Sequence, residues 1–343
     1  MNCRKTAWAF LGCLLFAMCM PIVHGNVYAE QSPPVVLILN SYHQGETWSD
    51  NEIAGIIPTL QTQYPELIPS IENLDTKRFP SPDYLQFMQQ YLEEKYRGKQ
   101  VDLLIVLDNP ALEMILAWRN ELFPGVPVVF AGINGFQPEM LAGQEGITGV
   151  AETQDFAGTI DLALALNPDV KRVYAIHDYT DSGLAVRNEM EAILPEYSDR
   201  VEITFSPDVS YKELEDSIRN LPADSVVLIM TYVTDAIGRT FTRAESTRLI
   251  SSLSPVPVYA MHETRPGYGI VGGRLLEGLE HGRQAAELAL RVLNGGNPSD
   301  LPVEKSTSHL MLDYQVLSKF HLSEKHVPSG AAYINKPVSC WEE

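Results

Sequence analysis

Apolar positions in this chain come in short blocks separated by longer amphipathic stretches. Val36-Leu37-Ile38-Leu39 and Leu103-Leu104-Ile105-Val106-Leu107 are two such blocks. Apolar runs without strict alternation mark strands that are covered on both faces. The pattern predicts strands over 35–39, 67–74, 101–107, 126–130 and 147–151. Helices are predicted over 48–64, from 81 onward, and over 110–122. Ser81-Pro82-Asp83 has the chemistry of a helix start: a capping hydroxyl, a proline in the first turn and a carboxylate near the positive end of the helix. The series then restarts. Helices over 155–166, 182–194, 211–220 and 243–253 alternate with strands over 172–176, 201–205, 226–230 and 256–260. A long helix over 277–293 stops at Gly295-Gly296. Short strands over 301–303 and 309–312 and a short helix over 313–319 complete the pattern.

Alternating strands and helices imply a parallel sheet covered by helices. Two such series in succession predict an α/β protein of two doubly wound, Rossmann-like lobes. One large βα-barrel shares the repeat and is the alternative. A chain of 343 residues fits two domains.

Composition adds a compartment. Arg4 and Lys5 precede a charge-free apolar run over 6–23, and Val27-Tyr28-Ala29 places small residues where a signal peptidase reads. The layout predicts a secretory signal peptide over 1–29 and an extracytoplasmic, periplasmic location; an uncleaved anchor is the alternative. Three of the four cysteines (Cys3, Cys13 and Cys19) lie in that segment, so Cys340 alone remains and no internal disulfide is expected. The formal charge is −19 and grows more negative once Arg4 and Lys5 are removed. Such a surface repels nucleic acid and anionic lipid, and neither is expected as a partner.

In doubly wound sheets ligands bind beyond the carboxyl ends of the strands. The strand tips carry Asn40-Ser41-Tyr42-His43, with Trp48 close behind, then Asp108-Asn109, Asn134, Glu152-Thr153, His177-Asp178-Tyr179, Thr231-Tyr232 and His262-Glu263. Hydroxyls, amides, carboxylates and aromatics at such places can fix a small polar molecule. The same Ser, Asp and Asn side chains also serve as helix caps, so Ser41, Asp108 and Asp181 stay open between the two roles. Enzyme signatures are missing: the chain has no G-x-S-x-G, no P-loop lysine motif and no H-E-x-x-H. His262-Glu263 lacks a second histidine at helical spacing, so no metal is expected. Gly267-Tyr-Gly-Ile-Val-Gly272 spells a dinucleotide fingerprint but does not follow the first strand, so no cofactor is assigned.

The stretch VLILNSYHQGETWSDNEIAG over 36–55 resembles the opening of the extracytoplasmic substrate-binding proteins of ABC transporters. VLDNPAL over 106–112, VVFAGIN over 128–134, TYVTDAIG over 231–238 and GIVGG over 269–273 continue the likeness in order. The same module forms the sensing region of bacterial histidine kinases and diguanylate cyclases. The resemblance implies a type I periplasmic-binding-protein fold, with three chain crossings at a hinge and a ligand cleft between the lobes. The crossings are expected near 150–153, 261–267 and 297–303. The first lobe is then 30–150 with 268–298, and the second is 151–267 with 299–343. A non-enzymatic solute-binding role follows, with a transporter permease or, alternatively, a membrane sensor kinase or cyclase as partner. Tip position and resemblance together assign Tyr42 and Trp48 to packing on the ligand. Ser41, Asn109, Asn134 and Thr153 are assigned to hydrogen bonding from the first lobe and hinge, and Tyr179, Thr231 and His262 to closure from the second lobe. Asp108 and Glu152 are the candidates for a ligand ammonium, which favours an amino-acid-like solute. Arg265 is the candidate for a ligand carboxylate.

Overall fold

A computed structural model describes residues 32–337. The segment read as a signal peptide, and Cys340, lie outside the described residues. The chain runs β1 (Val36–Asn40), α1 (Thr47–Gln61), β2 (Ser70–Asn73), α2 (Pro82–Tyr96), β3 (Leu103–Leu107), α3 (Asp108–Leu122), β4 (Val128–Asn134) and β5 (Ile147–Glu152) through a first lobe. It then builds a second lobe from α4 (Phe156–Leu166), β6 (Arg172–Ile176), α5 (Asp181–Glu191), α6 (Leu194–Tyr197), β7 (Glu202–Phe205), α7 (Tyr211–Arg219), β8 (Ser225–Ile229), α8 (Arg243–Leu253), β9 (Val258–Ala260) and β10 (Gly272–Leu276). It returns to the first lobe with α9 (Gly278–Leu293) and β11 (Glu304–Lys305). It ends in the second with β12 (Ser308–Asp313), α10 (Tyr314–Lys319) and β13 (Ala332–Ile334).

The first sheet has the order β11-β5-β4-β3-β1-β2, and all its pairs are parallel. The second has the order β13-β12-β10-β9-β8-β6-β7, with β10 and β12 antiparallel. In each lobe the first strand of the series lies inside the order, with the second on one side and the third on the other. That reversal opens a crevice between β1 and β3 in the first lobe, and between β6 and β8 in the second. Each sheet is buried on both faces. Leu37, Val106 and Phe130 face one core of the first lobe, and Ile38, Ile105 and Val129 face the other. Val173, Leu228 and Tyr259 face one core of the second lobe, and Ile176, Val227 and Val258 face the other. This double burial is the reason the strands read as unbroken apolar runs.

Three short segments join the lobes: 153–155, the Glu277 junction between β10 and α9, and 306–307. The first and last are zipped together. Ser306 N–H donates to the Ala151 carbonyl (3.0 Å), Thr153 N–H donates to Ser306 Oγ (2.8 Å), and Ser308 Oγ donates to Asp155 Oδ2 (2.9 Å). The second and third crossings thus fall later than the sequence placed them. β10 pairs with β9 and β12, so residues 272–276 belong to the second sheet and not to a first-lobe segment starting at 268. β11 pairs with β5 and keeps 304–305 in the first lobe. Two other differences are local. The helix expected over 182–194 ends at Glu191, and a separate short helix, α6, opens at Leu194-Pro195, with the proline in the first turn where its missing N–H costs no helical hydrogen bond. β4 runs on to Asn134, past a register shift between Phe130 and Ile133.

Helices α1 and α9 cross at backbone contact distance. A Cβ on Gly55 would lie 2.0 Å from the Leu279 carbonyl oxygen, and one on Gly282 would lie 2.0 Å from that of Glu52. Neither side can yield without parting the helices. Gly282→Leu is therefore expected to lower the unfolding free energy by about 3 kcal/mol, the upper range for overpacking. Urea denaturation followed by circular dichroism measures this, and an unchanged midpoint would refute the close crossing.

Candidate functional site

The crevice of the first lobe gathers four acidic side chains. Asp108 opens α3 directly beyond β3. Its φ of +66° lies in the left-handed region, which few residues other than Gly, Asn and Asp tolerate. Strain of this kind persists where the surroundings fix it, and it collects at functional sites. Glu52 projects from α1 and is 0% exposed; Asp108 is 2% exposed. Neither Glu52 oxygen, nor Oδ2 of Asp108, has a hydrogen-bond donor among the described residues. Glu152 ends β5, and its Oε2 accepts from Asn134 Nδ2 at 3.1 Å. Glu46 caps α1 through the Ser49 N–H and pairs with Lys77 at 2.8 Å.

The electrostatics follow from burial. Desolvation, then Asp108 and Glu152, push the Glu52 carboxyl well above the ordinary range. Desolvation, then Glu152, do the same to Asp108. Burial pushes Glu152 up to about 7, opposed by the charges of Arg243 and Lys77 and by the Asn134 hydrogen bond. The Tyr42 hydroxyl is driven strongly upward by burial and by Asp108, Glu152, Glu46 and Glu52, so it remains a neutral donor. Lys77 Nζ stands 3.8 Å from the Tyr42 ring centre.

Gly132 holds this arrangement together. Its φ is +72°, and it sits in the irregular part of β4. A Cβ there would lie 2.9 Å from Glu52 Oε1 and 3.0 Å from Asp108 Oδ1. Its N–H donates to His281 Nε2 at 2.7 Å. An imidazole nitrogen that accepts carries no proton, so His281 is neutral and offers Glu52, 3.8 Å away, no counter-charge. Burial depresses His281 to about 4, in agreement.

The remaining expected residues take varied places. Ser41 is buried; its hydroxyl donates to the Leu107 carbonyl (2.6 Å) and accepts from the Ala111 N–H (2.8 Å), tying the β1 tip to the start of α3. Asn109 exchanges two hydrogen bonds with the Asn134 backbone, at 3.0 and 3.2 Å. Trp48 is 4% exposed and packs against His262 (5.1 Å between ring centres) and His281 (5.8 Å), so it offers little face to a solute. His262 accepts from Thr264 through Nδ1, while Nε2 has no partner among the described residues. Thr153 lies in the hinge zipper. Tyr179 donates to the Ser206 carbonyl (3.1 Å) and lines a second-lobe cavity of about 200 Å³ with His177, Asp208 and Tyr232. The Thr231 carbonyl accepts from the Asp178 N–H at 2.7 Å. Arg265 is fully buried in the second lobe, donating to Thr247 Oγ1 (2.8 Å) and the Met230 carbonyl (2.7 Å) and braced against the start of α8. The guanidinium that acts on the acidic crevice is instead Arg243, in the first turn of α8; its charge lowers Glu46, Asp108 and Glu152.

Glu52, His281, Arg243, Lys77 and Glu189 were not singled out from the sequence. For the first two a signal existed. Glu52 falls four residues from both Trp48 and Ile56, on the apolar stripe of α1, and His281 sits on the buried stripe of α9 with Ala285 and Leu288. An ionisable group on such a stripe is either paired or functional. Arg243, Lys77 and Glu189 carry no such mark. Glu189 reaches across from α5 to accept from the Gly135 N–H of the first lobe at 3.3 Å, and burial pushes it up to about 7. Asn51 Nδ2 likewise crosses to Glu263 Oε1 at 2.9 Å.

Comparison with known proteins fits this geometry. The family model for ABC transporter substrate binding protein matches residues 84–324. No curated protein matches the chain. Similar solved structures include a ligand-free, open substrate-binding protein with adhesive properties from Clostridium difficile. It is 15% identical, with a TM-score of 0.67, covering 89% of this chain and 100% of its own. Another is an ABC domain from Streptococcus pneumonia in complex with L-Trp, 15% identical with a TM-score of 0.61, covering 88% and 100%. At these identities the likeness establishes the two-lobed type I fold. Among the described residues no helix is long and apolar enough to cross a membrane, and no three His, Cys, Asp or Glu side chains are placed to hold one metal ion.

Gly132→Ala is expected to cost about 1–2 kcal/mol, because it combines a left-handed backbone with a methyl group driven between two carboxyls. Chemical denaturation measures it; a neutral substitution would show that the carboxyls are not confined there.

Proposed function

Since this chain belongs to the family of ABC transporter substrate-binding proteins, we propose that it captures a small cationic or zwitterionic solute, amino-acid-like in size, between its lobes and presents it to a membrane transporter. The carrying observation is that Tyr42 and Asp108 flank the switch point of the first sheet, with Glu152 at the tip of β5 near enough to act on both, and that Asp108 and Glu152 are buried without an ion-pair partner among the described residues. A solute ammonium at this place would restore the charge balance that burial upsets. Arg243 from the second lobe and Lys77 from the first supply positive charge at the rim, and they suit a solute that also carries a carboxylate. The L-Trp found in the Streptococcus pneumonia neighbour accords with this class, although the support rests on the residues of this chain. Closure would bring α5 and α8 toward the first lobe, with Glu189 on Gly135 as one contact of the closed form. The proposed role is binding rather than turnover, as is general for a solute-binding family. The segment over 1–29 supports delivery outside the cytoplasm.

A thermal-shift screen of the protein against amino acids, amines and neutral analogues tests this. A solute at a hundred times its Kd stabilises the native state by about 2.7 kcal/mol. The expected hit carries an ammonium group, and the shift falls in Asp108→Asn and Tyr42→Ala. A neutral solute as the best hit would overturn the cation reading. A binder whose loss alters only a ligand-dependent cellular response, with uptake unchanged, would favour a sensory role. The pH dependence has a definite sign. Glu152 titrates at about 7, so affinity for a cationic solute should rise from about pH 6 to about pH 8 as the carboxyl ionises. Calorimetry across that range measures it, and a flat profile counts against Glu152.

A further inference from the structure

Close to Asp108 lies a second buried carboxyl that the binding reading does not use. Glu52 comes from α1, behind Trp48, and is sealed by the α1–α9 crossing. It and Asp108 approach one point beside Gly132, at 2.9 and 3.0 Å. Two ionised carboxylates so placed, out of water, repel strongly, and one of such a pair holds a proton. The groups around Glu52 offer no relief. His281, on α9, is committed as an acceptor to Gly132 and is neutral. Glu46 beyond β1, Glu152 on β5 and Glu263 beyond β9 are acidic, and Tyr42 is a neutral hydroxyl. The cations Lys77 and Arg243 act on Asp108, nearer the rim.

We propose that Glu52 is a positioning residue, kept as a neutral carboxylic acid under the cleft so that Asp108 can carry the single negative charge of the pair toward a ligand. The bearing on ligand capture rests on the function proposed above; the charge state of Glu52 does not, and its test contains no ligand. Glu52→Gln reproduces the neutral acid in shape and charge. In the wild type, folding keeps a proton on Glu52 that the unfolded chain loses above about pH 4.3. Folded stability attributable to Glu52 is therefore complete below that pH and is lost as pH rises toward the folded-state value. Glu52→Gln has no such loss.

The experiment compares urea unfolding of wild type and Glu52→Gln between pH 4 and pH 8, without solute. The expected result is near-equality at pH 4 and a relative gain for the variant that grows by up to tenfold in the unfolding constant per pH unit. A difference that does not change with pH would indicate a packing role only and would overturn the proposal. Carbon-13 NMR of wild-type protein labelled at glutamate Cδ gives a readout that does not depend on the variant folding. One glutamate carboxyl should still be protonated at about pH 8, above the titration of Glu152 and Glu189. A spectrum with every glutamate ionised at that pH would overturn the proposal equally.

Discussion

The cleft of this protein depends on one break in a strand. β4 departs from regular pairing between Phe130 and Ile133, and Gly132 there adopts a left-handed backbone without a side chain. The bare Cα leaves room for the Glu52 and Asp108 carboxyls, and the freed N–H finds His281 on the opposite helix. Each partner comes from a different element: α1, α3 and α9. A residue with a Cβ would push against both carboxyls. The strained backbone of Asp108 thus stands beside the place where the sheet reverses its strand order, where ligands of such folds are held.

Around that point the two lobes are packed as separate bodies. Each sheet has its own pair of cores, and no core cluster is shared between the lobes. Three short crossings join them, two zipped through Thr153 and Ser306. Rotation about such a joint leaves both interiors packed while the facing strand tips part or meet. Trp48 and His262 form an aromatic contact from one lobe to the other beside the second crossing. Glu189 to Gly135 and Asn51 to Glu263 are polar contacts between the same two bodies. A solute of the proposed kind, engaging both lobes, would shift the balance toward a closed arrangement only by its preference for that arrangement.

Much of this was legible in the residues. The apolar runs of β1, β3 and β8 and the helix start at Ser81-Pro82 lie within a residue or two of their observed places. The strand-tip rule brought Tyr42, Asp108, Asn134 and Glu152 into view. The role of Trp48 was less legible, because an aromatic next to a tip reads alike whether it faces solvent or two histidines. Arg265 drew notice as the basic residue near the hinge, yet the shell formed by Thr247 and the Met230 carbonyl encloses it. From the sequence, residues 272–276 are expected in a first-lobe segment starting at 268, and only pairing with β9 and β12 assigns them to the second sheet.

The sequence by itself determined the layers: which segments are strands, which are helices, and that two series repeat. Those features follow from local periodicity, which neighbouring residues carry among themselves. The tertiary structure decided where the chain crosses between lobes, which carboxyls share a site, and which cation faces them. These depend on residues far apart in the chain, such as Glu52, Asp108, Gly132 and His281, meeting within a few ångströms. No local pattern encodes that meeting, and the charge state of each group is set only once its neighbours have excluded water.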